Sequence, residues 1–485
     1  VSGGKITKDT SAAETYCTIY SFLESPHVKG LMWAGSDDGL IHISTDNAAN
    51  WSNVTPKDFP EWARVHMIEL SPHDKSTAYI AATKNMLDDY RPILYKTTDN
   101  GNSWTRIDKS FPSDEITRAI RVDKNDPNIL YVGTETGLFV SFDDGANWTK
   151  INSNLPVVPV YDIDIKDSNM ILATHGRAFW ILDDVSAISQ LNNDMPDKSF
   201  ILDPAPTFRI LPPFGFRLFG TGPDNGKTYM ASLGSPVLIE KSKDPSGEIK
   251  TEYLDSGENP PMGVTINFYL DNEPDNAELI IKDTEGKIIR TFNTEEIEAK
   301  ETNVVKSSLP SKSTSVLKVT KGYNKFLWDM YSESPYKLEG DKLTAGLSGP
   351  MVVPGNYDVE LQITNKSKTR TLNTSVKLLK DPRVSATEND FDAQYSLLQK
   401  VNDKISELHK SVETIRKNQT EISDWISRSD NSNNYEEINE IGTNLITKLN
   451  EIEKLLVFTD YKGARDRLNN PVVLNVKLAS LIPVI

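Results

Sequence analysis

Three octets in the first third of this 485-residue chain share one pattern. They are Ser44-Thr45-Asp46-Asn47-Ala48-Ala49-Asn50-Trp51, Thr97-Thr98-Asp99-Asn100-Gly101-Asn102-Ser103-Trp104 and Ser141-Phe142-Asp143-Asp144-Gly145-Ala146-Asn147-Trp148. Each reads Ser/Thr-x-Asp-x-Gly-x-x-Trp, with Ala48 standing in for the glycine of the first. The residue types suit a folded turn. Asp46, Asp99 and Asp143 can accept hydrogen bonds from the backbone N–H groups of a tight bend. Gly101 and Gly145 allow positive φ there, and Trp51, Trp104 and Trp148 each bring a large apolar surface to bury. The tryptophans lie 53 and 44 residues apart, room for one four-stranded antiparallel unit per repeat.

Strand-like runs recur ahead of each octet. Gly39–Ser44, Ile93–Thr97 and Gly137–Ser141 lead into the three octets, and Leu31–Gly35, Ala78–Ala82 and Ile129–Gly133 lie one turn earlier. A fourth unit, 160–183, has the runs Met170–Ala173 and Ala178–Leu182 but no complete octet. Short strands with regular turn signals read as all-β. Repetition of one small sheet reads as a partial β-propeller, with blades near 16–51, 62–104, 116–148 and 160–183 inside a 1–184 domain. Four blades are few for such a ring, and little chain precedes the first. The expectation is an incomplete ring whose remaining blades come from an N-terminal portion or from a second chain.

Downstream the pattern changes twice. Residues 185–258 are rich in Pro and Gly, as in Leu211-Pro212-Pro213-Phe214-Gly215, which predicts an irregular linker packed on the propeller. In 259–380, Val264, Ile266, Phe268 and Leu270 alternate as in a half-buried strand, and Asp283-Thr284-Glu285-Gly286 signals a hairpin turn. Further strands over 323–330, 357–363 and 372–379 make this an immunoglobulin- or fibronectin-like sandwich. Residues 381–485 turn helical. Leu397, Val401, Ile405, Leu408, Val412 and Ile415, then Ile438, Ile441, Leu445, Leu449, Ile452 and Leu455, step by threes and fours. That predicts an antiparallel helical hairpin whose apolar stripes read as core, with a partner-binding face as the alternative, and Pro471 predicts the first turn of a shorter third helix.

A formal net charge of −16 argues against wrapping nucleic acid, which needs a basic footprint. No run of eighteen apolar residues is present, so no membrane-spanning helix is expected. The lone Cys17 excludes an intramolecular disulfide and sits in the apolar run 16–20, as a buried structural thiol would. There is no His-x-x-x-His, cysteine pair, twelve-residue calcium loop, Gly-rich phosphate loop or Ser-His-Asp signature, so no cofactor is predicted. The acidic turn Asp271–Asn276 is the one candidate for calcium.

The stretch 134–148, followed by Thr174-His175-Gly176-Arg177-Ala178-Phe179-Trp180-Ile181-Leu182-Asp183-Asp184, resembles secreted bacterial proteins with sortilin-like Asp-box propellers. These are often labelled glycosyl hydrolases of the bacterial-neuraminidase-repeat type. The resemblance covers nearly the whole chain, in the order propeller, sandwich, helices. It implies that this chain corresponds to the C-terminal half of such a protein, and that it is exported to the periplasm or cell surface. It carries fold further than activity, because the repeat is structural.

In propellers of this kind the Asp boxes lie opposite the ligand, and the ligand face is made by the other loops. Those loops hold Asp37, Asp38, Glu61, Asp88, Asp89, Glu115 and Glu135, candidates for the two carboxylates of glycoside hydrolysis. Trp62 and Tyr90 can stack on sugar rings or simply pack. Arg64, Arg91, Arg118 and Arg177 are placed to hold a ligand carboxylate. His175-Gly176-Arg177 is the most pointed spot, the alternative being that Arg177 pairs with an Asp of a neighbouring blade. Two readings stay open. One is an exported propeller protein that binds a peptide, protein or glycan within a larger assembly. The other is a glycoside hydrolase, xyloglucanase-like or sialidase-like, working in a cleft between propellers.

Overall fold

In the computed structural model each octet closes a small antiparallel sheet. Residues 17–151, 154–191, 198–210, 226–232, 235–243, 249–254, 257, 260–294, 316–341, 344, 347–430, 432–458 and 472–482 are described. The chain divides into two compact units, Val1–Pro196 and Asp197–Ile485.

Four blades fill the first unit. The first has strands Ile19–Glu24, Met32–Ser36, Ile41–Ser44 and Ser52–Asn53, paired in chain order. The second has Arg64–Leu70, Ala78–Lys84, Asp89–Thr97 and Thr105–Arg106, and the third Thr117–Val122, Leu130–Thr134, Leu138–Ser141 and Thr149–Lys150. The fourth has three strands, Val160–Lys166, Asn169–Thr174 and Phe179–Leu182, and leads into the short helix α1 (Ser186–Ser189).

The boxes hold as their chemistry predicts. Asp143 accepts from the Ser141 hydroxyl at 2.8 Å, the Asn147 backbone N–H at 2.7 Å and the Asn147 side chain at 2.7 Å. Asp99 and Asp46 repeat the arrangement with Thr97 and Ser103, and with Ser44 and Asn50. The indole N–H groups of Trp104 and Trp148 donate to the carbonyls of Val54 and Ile107, both at 2.7 Å, stitching each blade to the one before. Trp51 differs. It lies exposed beside Phe22, because no described blade precedes it.

Side chains alternate between the two faces of each sheet, so adjacent blades share a core. Trp33 and Ile41 meet Ile80 and Ile93, Leu94 and Phe111 meet Ile120 and Phe139, and Tyr131 and Val140 meet Ile163 and Leu172. The outward face of the fourth blade repeats this pattern without a neighbour. Phe179 and Ile181 are 74% and 61% exposed, whereas Leu138 and Val140 on the same strand of the third blade are buried. Ile19, Tyr20 and Phe22 are likewise exposed on the first blade. Cys17, expected to be a buried thiol, is exposed, because the first strand begins only at Ile19.

The second unit contains a two-layer sandwich. Phe200–Ile201, Val264–Leu270 and Gly322–Trp328 form one sheet. Thr207–Arg209, Lys368–Lys380, Gly355–Asn365, Asn276–Asp283 and Ile288–Asn293 form the other in that order, the first pair parallel. Ile266, Phe268 and Trp328 from one layer share a core with Leu279, Ile281, Val359 and Leu361 from the other. The hairpin at Asp283 turns as predicted, with Gly286 at φ 81 and the Asp283 carboxylate accepting the backbone N–H groups of Glu285 and Lys287.

Part of 185–258 departs from the irregular linker expected of it. Gly226–Ser232, Ser235–Lys243 and Ile249–Tyr253 make a three-stranded sheet, and Phe200–Ile201 and Thr207–Arg209 join the sandwich. The proline-rich cluster that dominated the composition is 211–215, which falls outside the described residues, whereas Tyr229 and Val237–Ile239 are good strand formers.

Helix α2 (Glu388–Arg428) starts at a capping box between Thr387 and Asp390 and buries Val401, Ile405, Leu408 and Val412. Helix α3 (Tyr435–Leu456) runs back along it, but its predicted stripe is not core: only Gly442 is buried. Apart from Leu449, which is half-buried toward α2, the stripe lies one step around the helix from the face that meets α2. Helix α4 is Leu474–Ala479, and Pro471 lies outside the described residues.

Candidate functional site

The first strand of every blade carries one unpaired residue at an equivalent place. Pairing skips between Ile19 and Ser21, between Val65 and Met67, between Thr117 and Ala119, and between Val160 and Asp162. The extra residues are Tyr20, His66, Arg118 and Tyr161. A bulge bends its strand and re-aims the side chain it releases, and here the four releases converge. The His66 ring lies 5.3 Å from Tyr20 and 5.4 Å from Tyr161. The Arg118 guanidinium sits 4.9 Å over the Tyr161 ring, which also stacks on His175 at 5.0 Å and 12°. Arg64 caps the group 4.9 Å over Tyr20.

Burial first, and then charge, set the protonation of His66. Arg118 is buried and donates to Glu135 at 2.7 Å through Nε and again through its terminal nitrogen. Arg64 lies 3.5 Å from the Met86 sulfur and makes no ion pair among the described residues. Both ring nitrogens of His66 are shut away from solvent; the Arg118 backbone approaches the ring but makes no hydrogen bond to it. Burial, with Arg118 and Arg64 adding repulsion, pulls His66 down to about 4. It is therefore a neutral imidazole at ordinary pH, with donor and acceptor capacity unspent among the described residues, beside a guanidinium that has no carboxylate partner among them.

The seven candidate carboxylates fare differently. Asp37 is buried and accepts the Thr18 N–H at 2.9 Å, and Asp38 accepts from Ser36. Asp89 is clasped by Arg91 at 2.7 and 2.8 Å, which holds its carboxyl below the usual range. Glu115 accepts from the Thr136 hydroxyl at 2.7 Å, and Glu135 pairs with Arg118. Asp88, in left-handed backbone at φ 58, and Glu61 stand toward solvent. A glycosidase general acid needs a carboxyl pushed upward. Among the described carboxyl groups Glu69 is the one so shifted, by burial, and Arg121 holds it at 2.8 Å.

The geometry therefore brings Arg64, Arg118, Glu135 and His175 together. Arg91 and Tyr90 stay on an exposed loop, and half-buried Trp62 stands at φ 67 just before the second blade. Arg177 is exposed and forms no ion pair among the described residues; its carbonyl accepts the Trp180 indole N–H at 3.1 Å. Tyr20, His66 and Tyr161 were missed. Their signal is a broken alternation: Val65 and Ile68, like Val160 and Ile163, are core residues three apart on strands whose period is two.

No group of three His, Cys, Asp or Glu side chains is placed to hold a metal among the described residues. In the turn considered for calcium, Asp271 holds Ser199 and Asp275 accepts the Lys366 N–H at 2.7 Å. A cavity of about 450 Å³ opens between the second and third boxes, away from the bulges. Its Lys96 and Asp144 pair with each other, and Arg106 pairs with Asp108.

The model of the family described as Sortilin, neurotensin receptor 3, matches residues 39–179. These blades are sortilin-like. Their relatives include Xyloglucanase Xgh74A of Acetivibrio thermocellus, 28% identical over 174 residues, and Xyloglucanase of Hypocrea jecorina, 25% identical over 171. Those matches take in 33% and 32% of this chain but only 20% of each relative. Among solved structures, the GH74 xyloglucanase from Xanthomonas campestris is 10% identical, with 73% of this chain and 47% of that one covered at a TM-score of 0.28. Alongside the sortilin-like blades, no helix among the described residues is long and apolar enough to cross a membrane.

Proposed function

We propose that the sortilin-like blades belong to an exported protein that binds a glycan or peptide at the bulge cluster, with further blades completing the arc. The convergence of Tyr20, His66, Arg118 and Tyr161 carries this reading. Four bulges in register cost four ladder positions, and together they gather aromatic faces, a neutral imidazole and two guanidiniums at one place. Hydroxyl-rich or acidic ligands suit such a set, because the guanidiniums donate and His66 can do either. Blades that cover Phe22 and Phe179 would wall the cluster on its open sides.

Calorimetric titration with a panel of neutral and acidic oligosaccharides and acidic peptides tests it. Binding should appear for one class and weaken at least tenfold in Arg118→Ala and Tyr161→Ala. Unchanged affinity in both variants would sink the assignment. The xyloglucanase relatives favour a second reading, a glycoside hydrolase acting between propellers. It predicts reducing-end release from a polysaccharide, abolished by replacing a single carboxylate such as Glu135.

A further inference from the structure

Helix α3 carries two apolar faces, and α2 covers only one. On the covered face Gly442 lies so close to α2 that a Cβ there would come within 2.7 Å of Ile426, Leu449 and Leu456 are half-buried, and Glu453 accepts from Arg416 at 2.8 Å. The other face holds Ile438, Ile441, Leu445, Lys448, Ile452 and Leu455, spaced three, four, three, four, three. Its five apolar members are between 37% and 72% exposed, and Trp425, one step off the α2–α3 contact, is 69% exposed.

Strict alternation of three and four is the spacing of a coiled-coil seam, in which every position faces a partner helix. We propose that this seam pairs antiparallel with α3 of a second copy of the chain. About a two-fold axis between residues 446 and 447, Ile438 meets Leu455, Ile441 meets Ile452, and Leu445 meets Lys448, so every layer joins one a position to one d position. Lys448 fixes the direction. Parallel pairing would set Lys448 against Lys448 in one layer, whereas antiparallel pairing gives each a leucine and leaves its amine free to reach the rim. The flanking Asn444 and Glu451 then lie beside each other across the pair, without like charges. Gly442, Leu449 and Leu456 keep their places on α2, so two hairpins become four packed helices.

The test is the mass of the full chain in solution by sedimentation velocity over a concentration series. The expected result is a species of twice 54.2 kDa that returns to a single chain in the double variant Ile441→Glu/Ile452→Glu with its helical circular dichroism retained. Lys448→Leu should tighten the association about tenfold or more, which keeps the idea testable if the double variant unfolds. In a Cys17→Ser background, Ile441→Cys and Ile452→Cys proteins should cross-link when mixed but not separately. A single chain at every soluble concentration, a dimer that survives the double variant, or each cysteine linking to itself would overturn the proposal.

Discussion

His66 is the residue at which the propeller carries its clearest unresolved cost. Its folded value of about 4 lies below the ordinary 6.5, so the unfolded chain binds its proton more readily. The stability it lends is complete above pH 6.5, falls away as pH drops toward 4, and changes no further below that. The propeller should lose about 1–3 kcal/mol between pH 7 and 4.5 that His66→Phe does not lose, read by urea unfolding at each pH. The box turns give a second pair of outcomes with opposite signs. A Cβ on Gly145 would meet Ile107 at 2.8 Å with φ at 88, so Gly145→Ala should cost about 2–3 kcal/mol. Ala48 already holds φ 67 in the first box, so Ala48→Gly should stabilise by up to about 1 kcal/mol. Thermal melts of the two variants distinguish them. The boxes were legible because turn chemistry fixes Asp, Gly and Trp locally. The bulge residues were hidden because one extra residue per strand shows only as a slip in alternation.

At the scale of elements, repetition made the blades readable and the absence of a neighbour made one tryptophan different. Trp148 spends its indole N–H on the Ile107 carbonyl, while Trp51 stands exposed. Trp148→Phe should therefore cost about 1–2 kcal/mol and Trp51→Phe about zero, measured by denaturant midpoints. The same reasoning explains the helices. Periodicity located α2 and α3 and placed Val401, Ile405, Leu408 and Val412 of the α2 stripe correctly in a core, whereas Leu397 at the start of that stripe is exposed. Periodicity reports an apolar face without saying who covers it, so the α3 stripe reads as hairpin core whereas the hairpin uses the adjacent face and, of the stripe, Leu449 alone. The sheet over 226–253 was obscured for a simpler reason: a nearby proline cluster lowered the apparent order of the whole stretch.

Across the first unit, the two end blades present apolar surface that the two middle blades bury. Phe179 and Ile181 do on the fourth blade what Leu138 and Val140 do on the third, except that nothing described receives them. Replacing both by serine should leave the unfolding free energy within about 0.5 kcal/mol of the parent, while lowering the binding of a hydrophobic dye and light scattering on heating. A large loss of stability instead would mean that these side chains already pack within the chain. The repeat period counts blades and so raises the expectation of further ones, but what would lie against the ends is written in no residue of a repeat.

The first box adds a filter for whatever seats there. Val54 and Ile107 press against the glycine of the following box at a distance that admits only hydrogen. Ala48 brings a methyl group to the corresponding point of the first blade. A covering blade with a valine or isoleucine at that position would collide with it, so a blade that seats there as proposed would need a smaller residue at that point. Candidate partners can be screened for that one side chain before any protein is made.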